Sequence, residues 1–208
     1  ILNSPTISEP VVEEDLVTWK WIDNSEIEES YRVDYVNDGG GTANDADDIS
    51  PQTAKSGSGS TISWTDNDLQ NNTQYSVEVH AYRSDVGEST ASAESDEVYT
   101  LTGTPTNLTS RSRTEDVFLQ VSEFPNDTVG QSGYYFSRTN GPNSGWIQRN
   151  YWEDTSVSCS HTYTYSVKYR NAEGVESDVI SKEVNTANCG VGGGSSSISR
   201  ASGRTSFT

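Results

Sequence analysis

A motif that returns at a spacing of 88 residues constrains this chain more than any other feature. The segment WTDNDLQNNTQYSVEVHAY, from Trp64 to Tyr82, comes back as WEDTSVSCSHTYTYSVKYR, from Trp152 to Arg170. In each copy an aliphatic residue (Leu69, Val157) follows the Trp by five positions, and a Tyr (Tyr75, Tyr163) follows that by six. Self-similarity of this length divides the 208 residues into two copies of one small unit and excludes a single large enzyme fold. Each Tyr opens a strictly alternating run. Tyr75, Val77, Val79 and Ala81 share one face, as do Tyr163, Tyr165, Val167 and Tyr169, with mostly polar residues between them. Alternation with period 2 marks a half-buried antiparallel strand.

Other runs read the same way. In the first copy strands are expected over residues 5–12, 16–21, 31–35, 61–65, 74–83 and up to about 101. The second copy repeats the order over 107–112, 117–121, 133–138, 146–152 (one strand or more), 163–171 and 177–186. Between the third and fourth runs lies NDGGGTANDADDISPQTAKSGSGS, too rich in Gly, Ser and Asp to promise regular structure. No helix of useful length is expected, and no run of 18 apolar residues is present to span a bilayer as a helix. Thr102-Gly103-Thr104-Pro105 is a joint of only a few residues, which should hold the two units stiffly. With Ile1 in first place and no Met anywhere, the chain is expected to be a processed product or an excerpt of something longer.

The run Leu69-Gln-Asn-Asn-Thr73-Gln-Tyr75 resembles the tyrosine corner of immunoglobulin-like sandwiches, in the L-x-x-x-T-x-Y form of fibronectin type III domains. The second copy keeps Val157 and Tyr163 but has His161 where the Thr would be. Its GYYFSRTNGPNSGWIQRNYWEDT followed by TYTYSVKYRNAEGVES looks like a repeat of large bacterial surface proteins. The resemblance implies an all-β chain of two tandem fibronectin type III-like sandwiches over residues 1–102 and 103–187, followed by a Gly/Ser-rich tail, 188–208. In that frame Cys159 precedes one strand and Cys189 follows the strand antiparallel to it. Both then lie at one pole of the second sandwich, so a disulfide is expected, and with it an extracellular, oxidising compartment.

Charge is unevenly placed. Residues 1–102 carry 21 acidic against 4 basic side chains, and the whole chain has a formal charge of −18. Such a surface disfavours nucleic acid and anionic lipid and keeps the protein soluble. Its other use is to meet a cationic surface or to collect hard cations. Asp45, Asp47 and Asp48, in the Gly-rich loop, are the candidate metal ligands, with Asp66 and Asp68 further on. Calcium takes six to eight oxygens, and alternating carboxylates supply several. The competing reading is a solvated loop, and no other cofactor is expected. The only histidines, His80 and His161, belong to no catalytic motif, so no enzyme is expected. Sequons at Asn71, Asn107 and Asn126 accept glycan only if the source cell modifies asparagine.

In the tail, Ile198 and Phe207 are apolar anchors and Arg200 and Arg204 its only charges, an assembly segment suited to an acidic neighbour. The expected partner is a second copy or another surface protein, with no membrane insertion. The expected function is a structural or adhesive extracellular module. Two alternatives stay open: a carbohydrate-targeting accessory of a secreted enzyme, and a protein-binding receptor ectodomain.

Overall fold

The computed structural model describes residues 2–39, 49–53, 58–92 and 94–190, without the side chains of 49–53. The first unit contains β1 (Thr6–Val12), β2 (Val17–Ile22), β3 (Ser30–Asp38), β4 (Ile49–Thr53), β5 (Thr61–Asp66), β6 (Gln74–Arg83), β7 (Gly87–Glu88) and β8 (Val98–Tyr99). The second contains β9 (Thr109–Ser112), β10 (Val117–Gln120), β11 (Gly133–Arg138), β12 (Asn143–Ile147), β13 (Tyr151–Asp154), β14 (Thr162–Arg170) and β15 (Ile180–Asn185). Each unit has a sheet of three strands, β1–β2–β5 or β9–β10–β13, facing a larger one. The larger sheets are β4–β3–β6–β7, with β8 also on β6, and β12–β11–β14–β15. Every strand pairing is antiparallel.

The alternating faces become the cores. Val17, Trp19 and Trp21 from β2 meet Tyr31 and Val33 from β3 and Tyr75, Val77, Val79 and Ala81 from β6, all buried. The second core is separate: Val117 and Leu119 face Tyr134, Phe136, Tyr165, Val167 and Tyr169. Buried aromatics, four in the first core and six in the second, do much of the filling, since each buries a large apolar area. One of each adjacent aromatic pair turns out, as the pleat demands: Tyr134 and Trp152 are buried, Tyr135 and Tyr151 are not.

Both corner tyrosines bond back to the chain five residues upstream. Gln70 N donates to the Tyr75 hydroxyl at 3.1 Å, and Ser158 N to that of Tyr163 at 2.9 Å. Leu69 and Val157 pack beneath them.

Two sequence expectations need correction. The polar connection is not wholly irregular, because Ile49–Thr53 pairs with β3 as a short edge strand with an interrupted register. The strand or strands expected over residues 146–152 are two, β12 in one sheet and β13 in the other. The last strand of the first unit is broken between β7 and β8. There a serine every third residue replaces the regular ladder. Ser89, Ser92 and Ser95 donate their amides to the carbonyls of Ala81, Val79 and Val77. Each Oγ accepts the amide of the same β6 residue, at 3.0, 2.8 and 3.0 Å respectively. Three residues on one side against two on the other amounts to a repeated bulge, with hydroxyls standing in for carbonyls. Such an edge offers no regular row of amides to another strand.

Candidate functional site

The two sandwiches meet through three asparagines. Asn72 sits in the turn before β6 with φ of 49°, a left-handed conformation that Asn tolerates better than most residues. Its side chain is fully buried. Nδ2 donates to the carbonyls of Pro125 (3.0 Å) and Asn126 (2.8 Å), and Oδ1 accepts the amide of Ala172 at 2.7 Å. Asn126 returns the contact, its Nδ2 donating to Asn72 O at 3.3 Å and Thr73 Oγ1 at 3.0 Å. Asn171, also buried, donates to the carbonyls of Tyr99 and Thr100 at 3.3 and 3.4 Å, while its Oδ1 holds the turn that follows. An amide side chain offers both donors and an acceptor, so it can tie backbone to backbone across a junction without bringing in charge.

The outer faces of the second unit carry cations stacked on rings. Tyr135 on β11 pairs with Trp146 on β12, ring centroids 5.3 Å apart. Lys168 lies over both rings, and the Arg170 guanidinium is 4.4 Å from the Trp146 centroid. On the opposite sheet Phe118 stacks on Tyr151, with Arg111 over the first ring and Arg149 over the second. Each such contact is worth about 0.5–1 kcal/mol at an exposed position. These rings are therefore already partnered on one face.

One pair of equivalent carboxylates behaves oppositely in the two units. Asp154, at the end of β13, is buried and accepts four hydrogen bonds: Arg138 Nη1 (2.7 Å), Tyr165 OH (2.9 Å), Ser156 N (2.9 Å) and Ser156 Oγ (2.7 Å). Burial alone would raise its pKa, but the Ser156 and Tyr165 hydrogen bonds and the Arg138 charge hold it below the usual carboxylate range. Moving back by 88 residues gives Asp66, and the same step turns Ser156 into Asp68 and Tyr165 into Val77. Tyr35, which faces Val77 across β3 and β6, stands where Arg138 faces Tyr165 across β11 and β14. None of the three donor side chains has a counterpart of the same kind. The Asp66 carboxyl is pushed up to about 6, first by burial and then by the neighbouring Asp68 charge. Its Oδ2 is buried without a hydrogen-bond partner.

Cys159 and Cys189 are joined in a disulfide, with Cα atoms 5.0 Å apart. His161 is exposed beside them, its Nδ1 2.7 Å from the Cys159 carbonyl. His80 lies across the molecule on β6, so the two histidines share no site. Asp45, Asp47 and Asp48 fall outside the described residues, as do Ile198, Arg200, Arg204 and Phe207. Sequence reasoning passed over the asparagines, because a polar turn residue carries no hydropathy signal. It also missed the serines, although their period of three is visible at Ser89, Ser92 and Ser95.

No protein-family model matches the chain, and no curated protein does. Among solved structures, it is similar to a segment of two fibronectin type III domains from chicken tenascin, at 17% identity and a TM-score of 0.57. That likeness covers 88% of this chain and 100% of the other. The FN1–FN3 domains of chicken CNTN1 are more distant, at 14% identity and a TM-score of 0.43 over 89% of this chain and 66% of that one, and add nothing to the argument. The likeness to that two-domain segment, the paired antiparallel sheets of each unit and the two corner tyrosines together make the fold a tandem of fibronectin type III-like β-sandwiches.

Proposed function

We propose that this chain is a non-catalytic structural or adhesive module of an extracellular surface protein, in which residues 1–102 and 103–187 act as one stiff strut. The observation that carries the reading is the asparagine clasp. Loosely strung domains keep few specific contacts across a short linker, whereas here side chains with no exposure tie backbone on both sides. The disulfide supports an oxidising compartment. Presentation at a bacterial surface, and self-association or capture by another surface protein through the tail from Asn188, belong to the same proposal.

Residual dipolar couplings test the strut. Both sandwiches of the wild type should fit one alignment tensor. In Asn72→Ala the two tensors should differ, because three backbone groups lose their partners. Two independent tensors in the wild type would overturn the reading. The accessory alternative draws on the aromatic face around Trp146. It is weaker, because Arg170 and Lys168 already occupy ring faces that a sugar would stack on. Retention on a polysaccharide column, lost in Trp146→Ala, would favour it instead.

A further inference from the structure

The outer face of the first unit's larger sheet holds a cluster that the strut does not use. Across β3 and β6, Asp34 lies directly opposite Glu78, and Arg32 opposite His80. Two carboxylates in directly opposed positions repel each other. His80 reaches toward both: its Nε2 is 3.2 Å from Asp34 Oδ2 and 3.8 Å from Glu78 Oε1. The other ring nitrogen, Nδ1, is 3.1 Å from the Ser89 carbonyl oxygen. A carbonyl only accepts, so that contact is a hydrogen bond when Nδ1 carries the proton. In the neutral ring Nε2 then presents a lone pair to two carboxylate oxygens. Three donor atoms, one each from Asp34, Glu78 and His80, converge there.

The surroundings are those of a ligand set. A backbone carbonyl fixing the imidazole tautomer through its far nitrogen is the usual outer-shell partner of a metal-bound His. Arg32 plays the same part for the carboxylate. Its Nε donates to Asp34 Oδ1 at 2.9 Å and its Nη1 to Glu88 Oε1 at 3.0 Å, while Oδ2 faces the imidazole. The three donor atoms all lie within 4.8 Å of one another, the only such group among the described residues. A tetrahedral ion with bonds of about 2.0–2.2 Å sets its ligand atoms about 3.3–3.6 Å apart, and the two observed separations bracket that span. The side chains of His80, Asp34 and Glu78 are 15%, 21% and 36% exposed, so an ion can enter and keep water at its remaining position.

We infer that Asp34, Glu78 and His80 form a site for a single divalent transition-metal ion of the zinc class. An imidazole nitrogen selects such an ion over calcium or magnesium, which prefer oxygen alone.

Isothermal titration of the metal-stripped full chain with zinc chloride, and separately with calcium chloride, tests this. Zinc should bind at one site per chain with micromolar affinity. His80→Gln and Glu78→Gln should each weaken it about tenfold or more, and His161→Gln should leave it unchanged. Cobalt should give the visible absorption of a tetrahedral complex, lost in His80→Gln. Both substitutions lie on an outer face, and circular dichroism confirms that each variant is folded. Three results would overturn the proposal: no zinc heat, binding indifferent to both substitutions, or equal binding of calcium. Nitrogen-15 spectra showing the His80 ring doubly protonated at pH 7.5 in the presence of zinc would also refute it, since a proton would then fill the gap.

Discussion

Replacing Asp66 by Asn should stabilise the protein at neutral pH and do nothing at acid pH. The argument starts from the carboxyl's missing partners. In the folded chain the Asp66 pKa is raised from 3.8 to about 6, by burial first and by Asp68 second. Between those values the folded state holds a proton that the unfolded state has released, so stability falls as pH rises from about 4 to about 6. Above both values the whole difference opposes folding. At about 1.4 kcal/mol per pH unit it would reach about 3 kcal/mol for a fully shielded group. Asp66 is only partly buried and water screens it, so about 1–2 kcal/mol is expected. Asn keeps the shape and needs no ionisation, so Asp66→Asn should recover that amount at pH 7.5 and none at pH 4. The assay is urea unfolding of wild type and variant at pH 4, 5, 6 and 7.5, followed by fluorescence of the first unit's tryptophans. A variant less stable than wild type at pH 7.5, or equally stabilised at every pH, would refute the reasoning.

Asp154 should show the mirror image. Its depressed pKa adds stability that is present at neutral pH and is lost as pH falls through the folded value, so Asp154→Asn should destabilise at pH 7.5 by about 3–5 kcal/mol by stranding Arg138. An equally stable variant in the same urea series would contradict this. Tyr75→Phe keeps the ring and loses only the Gln70 bond, at about 0.5–1.5 kcal/mol, whereas Tyr75→Ala opens a cavity at about 3–5 kcal/mol. Equal losses in thermal unfolding would mean that the corner is not structural. Of the three sequons, Asn107 should take glycan most freely, because its side chain makes one exposed bond to Ser122. Asn126 should resist, since its Nδ2 is committed to the junction. Mass spectrometry of material from a glycosylating host would read this, with full occupancy at Asn126 as the contrary outcome.

What the sequence revealed and what it hid divide along physical lines. Tyr75 to Ala81 was legible because water enforces alternation on a sheet with one buried face, and the 88-residue echo duplicated the signal. β4 was hidden because an edge strand of polar residues with Pro51 in its middle looks like a loop. Its pairing depends on β3 being there to receive it. The break after Glu88 was hidden for another reason. A serine hydroxyl that replaces a carbonyl leaves hydropathy unchanged, and only its period of three betrays it. Asp34, Glu78 and His80 come from two strands whose register no local pattern fixes, so their meeting was not visible. Asp66 is the informative case: its twin was in plain view 88 residues on, but the lost donors come from three separate segments.

The same repeat spacing exposes a contrast at the two corners, and the last prediction comes from it. Asn71-Asn72-Thr73 occupies the turn that grips the second unit, and the equivalent turn there is Cys159-Ser160-His161. Asn72 and Ser160 both hold positive φ, at 49° and 55°, so the backbone is conserved while the chemistry is exchanged. Where Asn72 reaches across to the next sandwich, Ser160 Oγ accepts the amide of Cys189 in its own departing chain, and the disulfide fastens that chain alongside. The bridge closes a separation of 30 residues, so breaking it should cost the second unit about 3–4 kcal/mol. The first unit should lose at most the contribution of the clasp, because the bridge touches neither its core nor the junction. Hydrogen exchange read peptide by peptide before and after reduction separates these outcomes. Protection should fall in β11, β14 and β15 and persist in β2, β3 and β6. Equal loss in both units, or two alkylatable thiols recovered from unreduced protein, would show that the bridge does not belong to the second unit alone.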